Sequence, residues 1–236
     1  MKVVETFLSI QAEGMFSGRY AFFIRFAGCN FNCTGFGVKK DNFIGCDTIK
    51  AVQTKAYLHT YFDYNADELI ALVKKQKSNP LIVITGGEPL LLQNDKEFVK
   101  LLSFLTLNYD VQFESNASIK LKEYDFYKKC YFAMGVKLAN SGVKKELRIN
   151  KDAIFSIIKN SKKAFFKFVI NDEKDLDELY EIINDFKDTS VYLMPMGSTN
   201  KELSLNAKKV FELCVKHSFN YSDRLHIRIY DDKEGV

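Results

Sequence analysis

The chain has 236 residues, 47% hydrophobic and 27% charged, which is enough to bury one α/β core and excludes a disordered or fibrous protein. Its formal net charge, 34 − 30 = +4, is spread without a basic block, so no nucleic-acid partner is expected, whereas a small anionic ligand is compatible with it. No apolar leader opens the chain and no window reaches membrane-spanning length, so the expectation is a cytoplasmic protein with reduced thiols and no membrane partner.

Taken in order, residues 1–20 read as loop, with Ser9-Ile10-Gln11-Ala12-Glu13-Gly14 and Gly18-Arg19-Tyr20 marking turns. Ala21–Phe26 is a buried strand with one exception, Arg25. A guanidinium that close to a core needs an acidic partner, from the protein or from a ligand's carboxylate. Then comes Gly28-Cys29-Asn30-Phe31-Asn32-Cys33, closed by Gly45-Cys46-Asp47-Thr48, within an irregular stretch rich in aromatics and lysines. Leu69, Ile70, Leu72 and Val73 predict an amphipathic helix that starts near Asn65 or Asp67 and ends by Pro80. Leu81–Ile84 is a short buried strand running into Thr85-Gly86-Gly87-Glu88-Pro89.

The alternation then repeats. Phe98–Leu107 predicts a helix, and Val111–Glu114 a strand ending at Ser115-Asn116; residues 120–130 predict a helix, and Tyr131–Val136 a strand ending at Lys137. Helices over Ile154–Lys159, Leu176–Phe186 and Leu203–Lys216 are followed by strands Ala164–Ile170, Val191–Met194 and Leu225–Tyr230. Such alternation makes a parallel sheet with right-handed crossovers, and a full or partial β/α barrel fits it as a single domain over 1–236. The polar punctuation falls just after strands, where such barrels place their active face. Cys29, Glu88, Glu114, Lys137 and Met196 are therefore expected at one mouth.

Three of the five cysteines fall within eighteen residues, on a loop after a strand, which suits a soft metal better than packing; the odd total makes disulfides the weaker explanation. Two metal readings stand at this point. A structural zinc would take His59 as its fourth ligand, making the chain a zinc-stabilised binding module. An open [4Fe–4S] cluster would use three thiolates and leave one iron to chelate S-adenosylmethionine. Cys130 and Cys214 have no partner pattern and read as small core hydrophobes.

The C-x3-C motif after a strand, followed by Thr85-Gly86-Gly87-Glu88-Pro89 after the next, resembles the radical S-adenosylmethionine superfamily. Glycines permit close backbone approach and a carboxylate suits an ammonium, which agrees with the cofactor site that the resemblance implies. Within that superfamily the chain resembles the 7-carboxy-7-deazaguanine synthase family. The matching stretches are Ser9 to Gly14, Phe23 to Asn30, Cys46 to Thr48, Ile84 to Leu91, Val111 to Asn116, Val136 to Asn140, Phe166 to Ile170, Tyr192 to Pro195, and Arg224-Leu225-His226. Nine stretches in family order cover essentially the whole chain.

The resemblance implies an open, partial β/α barrel of about six parallel strands, with an enlarged cluster loop at about 29–48. It implies conversion of 6-carboxy-5,6,7,8-tetrahydropterin to 7-carboxy-7-deazaguanine with loss of ammonia, in queuosine and 7-deazapurine biosynthesis. Cys29, Cys33 and Cys46 would hold the [4Fe–4S] cluster; Gly86, Gly87, Glu88, Glu114, Ser115 and Lys137 would line the S-adenosylmethionine site. Gln11, Glu13, Arg25 and His226 would face the pterin, and Thr48 would contact Mg2+. A flavodoxin or ferredoxin electron donor and a homodimer are also implied. A glycyl-radical activating enzyme is the alternative within the superfamily.

Two departures matter. The superfamily's C-x3-C-x2-C pattern places an aromatic before the third cysteine to stack on adenine; here twelve residues separate Cys33 from Cys46 and Gly45 holds the aromatic's place, so Phe36 and Phe43 are the candidate replacements. Ala12 also stands where the family often has glycine. The tail points toward the site, which raises the question of the Val236 carboxylate.

Overall fold

The computed structural model describes residues 1–233 and 235, so Val236 lies outside the described residues. The strands are β1 (Lys2–Ile10), β2 (Tyr20–Phe26), β3 (Val38–Lys40), β4 (Phe43–Gly45), β5 (Phe62–Asp63), β6 (Leu81–Gly86), β7 (Val111–Ser115), β8 (Cys130–Met134), β9 (Lys163–Ile170), β10 (Val191–Pro195) and β11 (Asn220–Tyr221). The helices are α1 (Ile49–Val52), α2 (Thr54–Tyr57), α3 (Ala66–Lys74), α4 (Lys96–Asn108), α5 (Lys145–Arg148), α6 (Lys151–Asn160), α7 (Asp175–Ile183), α8 (Asn200–His217) and α9 (Leu225–Tyr230).

Nine strands form one sheet in the order β11-β10-β9-β8-β7-β6-β2-β1-β5. From β2 to β11 every pairing is parallel, while β1 runs antiparallel beside β2 and carries β5 on its outer edge. β11 and β5 are not paired with each other, while Gly14 N–H after β1 donates to Ser222 Oγ after β11 at 2.7 Å, so the sheet curls into an open β/α barrel, as expected.

Strand alternation divides the core into two layers. Phe22, Ile24 and Phe26 of β2, Phe113 of β7 and Phe166 and Phe168 of β9 point outward to meet Leu69, Leu101, Ile154 and Leu179 from the helices. Phe98 of α4 packs edge-on to both Phe26 and Phe113, at 5.4 and 6.4 Å between ring centroids. On the opposite face Ala21, Phe23, Leu81 and Val83 pack with Phe7 and Phe16. The base of that face is closed by the Phe16–Tyr131 contact at 4.8 Å and by Arg19 and Lys162, which pair with Asp110 at 2.8 and 3.5 Å.

Three expectations are corrected. Lys2–Ile10 is a strand rather than loop; beyond it lies only the two-residue β5, and Val3 alone of its residues is fully buried, so its alternation is faint. Residues 120–130 contain only a short 3₁₀ turn at Asp125–Lys129, whose Tyr127 is buried and packs with Tyr124 and Phe126. Leu225–Tyr230 is a helix rather than a final strand. Its apparent alternation is deceptive, because Ile227 is buried and Ile229 is 71% exposed. The prediction around Asn65 holds: its side chain accepts from Glu68 N–H while the Glu68 carboxylate accepts from Asn65 N–H, a reciprocal cap.

Candidate active site

The C-terminal strand ends surround a cleft of about 850 Å³. Cys29, Phe31, Cys33 and Cys46 line one wall, Gly86 and Gly87 border it, Gln11, Glu13 and Lys167 form the floor, and Met196, Arg224 and His226 complete the far side. Residues dispersed over the whole chain thus meet at one mouth, as strand-end placement requires.

The cysteine wall is positioned by close backbone approach. A Cβ on Gly87 would lie 2.3 Å from the Gly28 carbonyl oxygen and 2.6 Å from Cys29 Cβ, so only glycine fits. Beside it, Glu88 N–H donates to Gly28 O at 2.8 Å, and Gly28 N–H donates to Ala51 O at 2.8 Å. The long interval from Cys33 to Cys46 is not loose: it folds into the β3–β4 hairpin. Gly35 anchors its start on the Asn140-Ser141 turn, where a Cβ would lie 2.2 Å from Asn140 O.

Burial pushes the Cys29 thiol up to about 12 and the Cys33 thiol up to about 11, with the Lys137 charge opposing both shifts. Loading a cluster on these residues therefore releases protons. Cys46 Sγ lies 3.1 Å from the Thr48 hydroxyl. The Thr48 carbonyl starts α1 by accepting from Ala51 N–H at 2.9 Å, but its side chain does not cap the helix and instead lines the cleft. Among the described residues no three His, Cys, Asp or Glu side chains converge on a single ion position. His59 is exposed and lies off the cleft wall. A lone zinc, which draws ligands to about 2.0–2.3 Å of one point, has no cradle there. Three thiols spread over one wall are a donor set that fits a polynuclear iron–sulfur group.

Glu88 is placed differently from its neighbours. It is 2% exposed, and its carboxylate accepts from Ser115 Oγ at 3.0 Å, Asn116 N–H at 2.6 Å and Leu90 N–H at 3.0 Å. It locks the end of β7 to the glycine turn and is not one of the described residues that line the cleft. Burial pushes its acid up from 4.5 to about 7 against those hydrogen bonds and the Lys137 charge. Between these values the folded chain keeps a proton that the unfolded chain has lost, so Glu88 makes stability fall as pH rises from about 4.5 to 7. Glu88→Gln is expected to flatten that slope in urea unfolding of the metal-free chain. An unchanged slope would assign it to another group.

Lys137 lines the cleft with its ammonium 5.6 Å from the Phe36 ring centroid. Phe36 also lines the cleft, whereas Phe43 packs on Tyr57 with centroids 6.1 Å apart and is not one of the described lining residues.

The floor is a chain of charges, largely buried at Glu13, Lys167 and Arg224 and more open at its two ends. Glu114 accepts from Thr85 Oγ1 at 3.0 Å and Gln11 Nε2 at 3.3 Å, and pairs with Lys167 at 3.5 Å. Lys167 also pairs with Glu13 at 2.6 Å; the other Glu13 oxygen accepts from Arg224 Nε at 3.0 Å. Arg224 donates further to Gly197 O at 2.7 Å and to Asp47. Burial would raise the Glu13 acid, but Lys167 and Arg224 outweigh it and hold the carboxylate well below its usual range. Burial would likewise lower Lys167, but Glu114 and Glu13 keep it charged. Burial lowers His226 despite the nearby Glu13 carboxylate, favouring the neutral ring. Arg25 finds its acidic partner within the protein, Glu5 at 2.7 Å, and both side chains line the cleft.

Lys167, Arg224 and Asp47 are the members that sequence reasoning did not single out. A signal existed for Lys167, because it interrupts the apolar run Phe165-Phe166-Lys167-Phe168 just as Arg25 interrupts β2. Asp47 stood unremarked between Cys46 and Thr48.

No family model matches the sequence. Among solved structures, the chain is similar to QueE from Escherichia coli, with a TM-score of 0.63 at 19% identity over 94% of this chain and 92% of that one. It is also similar to Streptococcus suis SuiB bound to S-adenosylmethionine, with a TM-score of 0.52 at 13% identity over 85% of this chain and 51% of that one. Strand order and these two likenesses together define the fold as a partial β/α barrel. Among curated proteins, the 7-carboxy-7-deazaguanine synthase of Clostridium acetobutylicum is 35% identical over 199 residues, covering 83% of this chain and 81% of that protein. The enzyme of the same name from Pyrobaculum aerophilum is 30% identical over 241 residues, covering 100% and 97%. The chain belongs to the 7-carboxy-7-deazaguanine synthase family.

Proposed function

We infer that this chain is a radical S-adenosylmethionine lyase that converts 6-carboxy-5,6,7,8-tetrahydropterin to 7-carboxy-7-deazaguanine with loss of ammonia. Within the family, the observation that carries this reading is the single cleft in which a three-cysteine wall faces a floor of buried, compensated charges. Cys29, Cys33 and Cys46 hold a [4Fe–4S] cluster that, with S-adenosylmethionine, supplies the one-electron chemistry. The Gly86–Gly87 backbone, Glu114, Ser115 and Lys137 bind the cofactor; Glu88 acts by fixing the turn. That carboxylate is already engaged by Ser115, Asn116 and Leu90. Phe36 is the candidate adenine contact because it lies on the cleft wall.

Gln11, Glu13, Arg25 and His226 orient the pterin. Both Glu13 oxygens are already paired with cations, yet each retains a lone pair for a ring N–H. Arg25 faces the substrate carboxylate, and Thr48 supplies a hard oxygen for Mg2+ beside Asp47. The walls exclude water and hold the substrate still while the cofactors do the chemistry. The whole chain acts as one domain, takes electrons from a flavodoxin or ferredoxin and works as a homodimer. No described helix is long and apolar enough to cross a membrane.

Anaerobically reconstituted protein with reductant, S-adenosylmethionine and the tetrahydropterin is expected to form the deazapurine acid. Cofactor cleavage without that product would reject the substrate. Cleavage unstimulated by the pterin, but stimulated by a glycyl-radical enzyme, would favour the activating-enzyme reading instead.

A further inference from the structure

The floor's charges do not end at the substrate side. They continue as Glu114, Lys167, Glu13, Arg224 and Asp47, alternating in sign, and the last member is adjacent in sequence to Cys46. Arg224 is the junction. Its Nε serves Glu13, its Nη1 the Gly197 carbonyl and its Nη2 Asp47, so one planar fork ties the barrel floor, the loop after β10 and the cluster loop together. The Arg224 and Glu13 side chains are each 11% exposed, so their pair is far stronger than a surface one, while the half-exposed Asp47 takes the outer end of the fork.

Other anchors of the cysteine wall act at Cys29, at Cys33 and, through Gly28 N–H to Ala51 O at 2.8 Å, in α1 behind Cys46. Gly28 and Cys29 are clamped by Gly87, and Gly35 by the Asn140-Ser141 turn. Cys46 follows β4, which pairs only with β3 of its own hairpin. Beyond it, α1 is a single turn of four residues, Ile49–Val52. The Arg224–Asp47 pair, adjacent to Cys46 in sequence, is a long-range ionic link that spans 177 positions of sequence.

We propose that Arg224, through Asp47, is the positioning residue for the third cluster ligand, so that cluster geometry at Cys46 and the substrate floor at Glu13 are set by one guanidinium. The proposal rests on the assignment of Cys46 as a ligand made above. Neither Arg224 nor Asp47 needs to touch the iron; they orient the loop that does.

Anaerobic reconstitution of the full chain, with iron and acid-labile sulfide analysis, tests this, together with chelator challenge and the electron paramagnetic resonance spectrum of the reduced protein. Arg224→Met and Asp47→Asn are each expected to retain iron against the chelator about tenfold less well than the parent, and the double variant no worse than either alone. Lys167→Met, on the far side of Glu13, keeps the Arg224–Asp47 pair and is expected to load fully. In the metal-free protein, Arg224→Met is expected to speed alkylation of Cys46 but not of Cys33. Should Arg224→Met fail to fold, Asp47→Asn carries the test, because its side chain is 47% exposed and its loss does not empty the core. Parent-like retention, spectrum and Cys46 alkylation in Asp47→Asn would overturn the proposal. Cys46→Ala separates the two failures: a full cluster there rejects the ligand assignment itself, whereas its loss there with full loading in Asp47→Asn rejects only the role of the pair.

Discussion

Replacing Cys46 with alanine is expected to abolish cluster assembly as completely as Cys29→Ala does. The three thiols on the cleft wall are Cys29, Cys33 and Cys46, and among the described residues no other cysteine lines it. Cys130 and Cys214 are buried in the outer core, with their thiols donating to Phe126 O at 3.2 Å and Asn220 O at 3.5 Å. Neither can substitute without unfolding a strand or α8. The twelve-residue interval makes Cys46 the least conventional of the three ligands, so it is the one to test. Cys46 is only half-buried, so its truncation should change the stability of the metal-free chain by about 1 kcal/mol or less. Iron and sulfide analysis after anaerobic reconstitution, beside the thermal midpoint of the metal-free protein, separates loss of a ligand from loss of the fold. A full cluster in Cys46→Ala would mean that the third ligand had been wrongly chosen.

Gly87→Ala is expected to damage both fold and cofactor binding. The added methyl meets the Gly28 carbonyl and the Cys29 Cβ, at 2.3 and 2.6 Å, and neither is the far end of a flexible side chain. Relief requires the Gly28–Cys29 backbone to withdraw from β6, which strains the Glu88 N–H bond to Gly28 O and turns the first thiol away from its partners. Overpacking of this kind costs about 1–3 kcal/mol, equivalent to a fall of roughly 3–10 °C in Tm for a chain of this length. Gly135→Ala is the appropriate comparison for stability, since its methyl would sit at an ordinary 3.6 Å from Ser115 O. Equal Tm values for the two variants, with intact S-adenosylmethionine binding in Gly87→Ala by calorimetry, would contradict the account.

Much of this arrangement was legible in the residues themselves. The long apolar runs in β2 and β6 are buried on both faces and, with the phenylalanine-rich β9, read directly as parallel strands; the glycine and polar residues after them fell where the cleft opens. The enlarged cluster loop was visible as a spacing, but not that it folds as a hairpin, because Val38–Lys40 and Phe43–Gly45 are too short to show a period. α9 was misread because six alternating residues satisfy a strand pattern, and only tertiary placement reveals that Ile229 faces solvent. The floor was half-visible. Glu13 and His226 came from the resemblance, whereas the cations that hold Glu13 ionised lie 154 and 211 positions away and share no local pattern with it.

The unpaired gap in the sheet has a kinetic consequence. Between its two ends the chain is stitched by Gly14 N–H to Ser222 Oγ at 2.7 Å, by Leu225 N–H to Ala12 O at 3.4 Å and by the Glu13–Arg224 pair. Those contacts span more than two hundred residues, so they carry the largest loop-closure entropy in the molecule. The parallel strands from β6 to β10 join neighbours in sequence and can condense first, leaving this seam to knit last. Barrel and substrate floor are therefore separate acquisitions during folding: a nascent chain can pair its parallel strands while the ribosome has yet to release the arginine that joins the floor to the cluster loop.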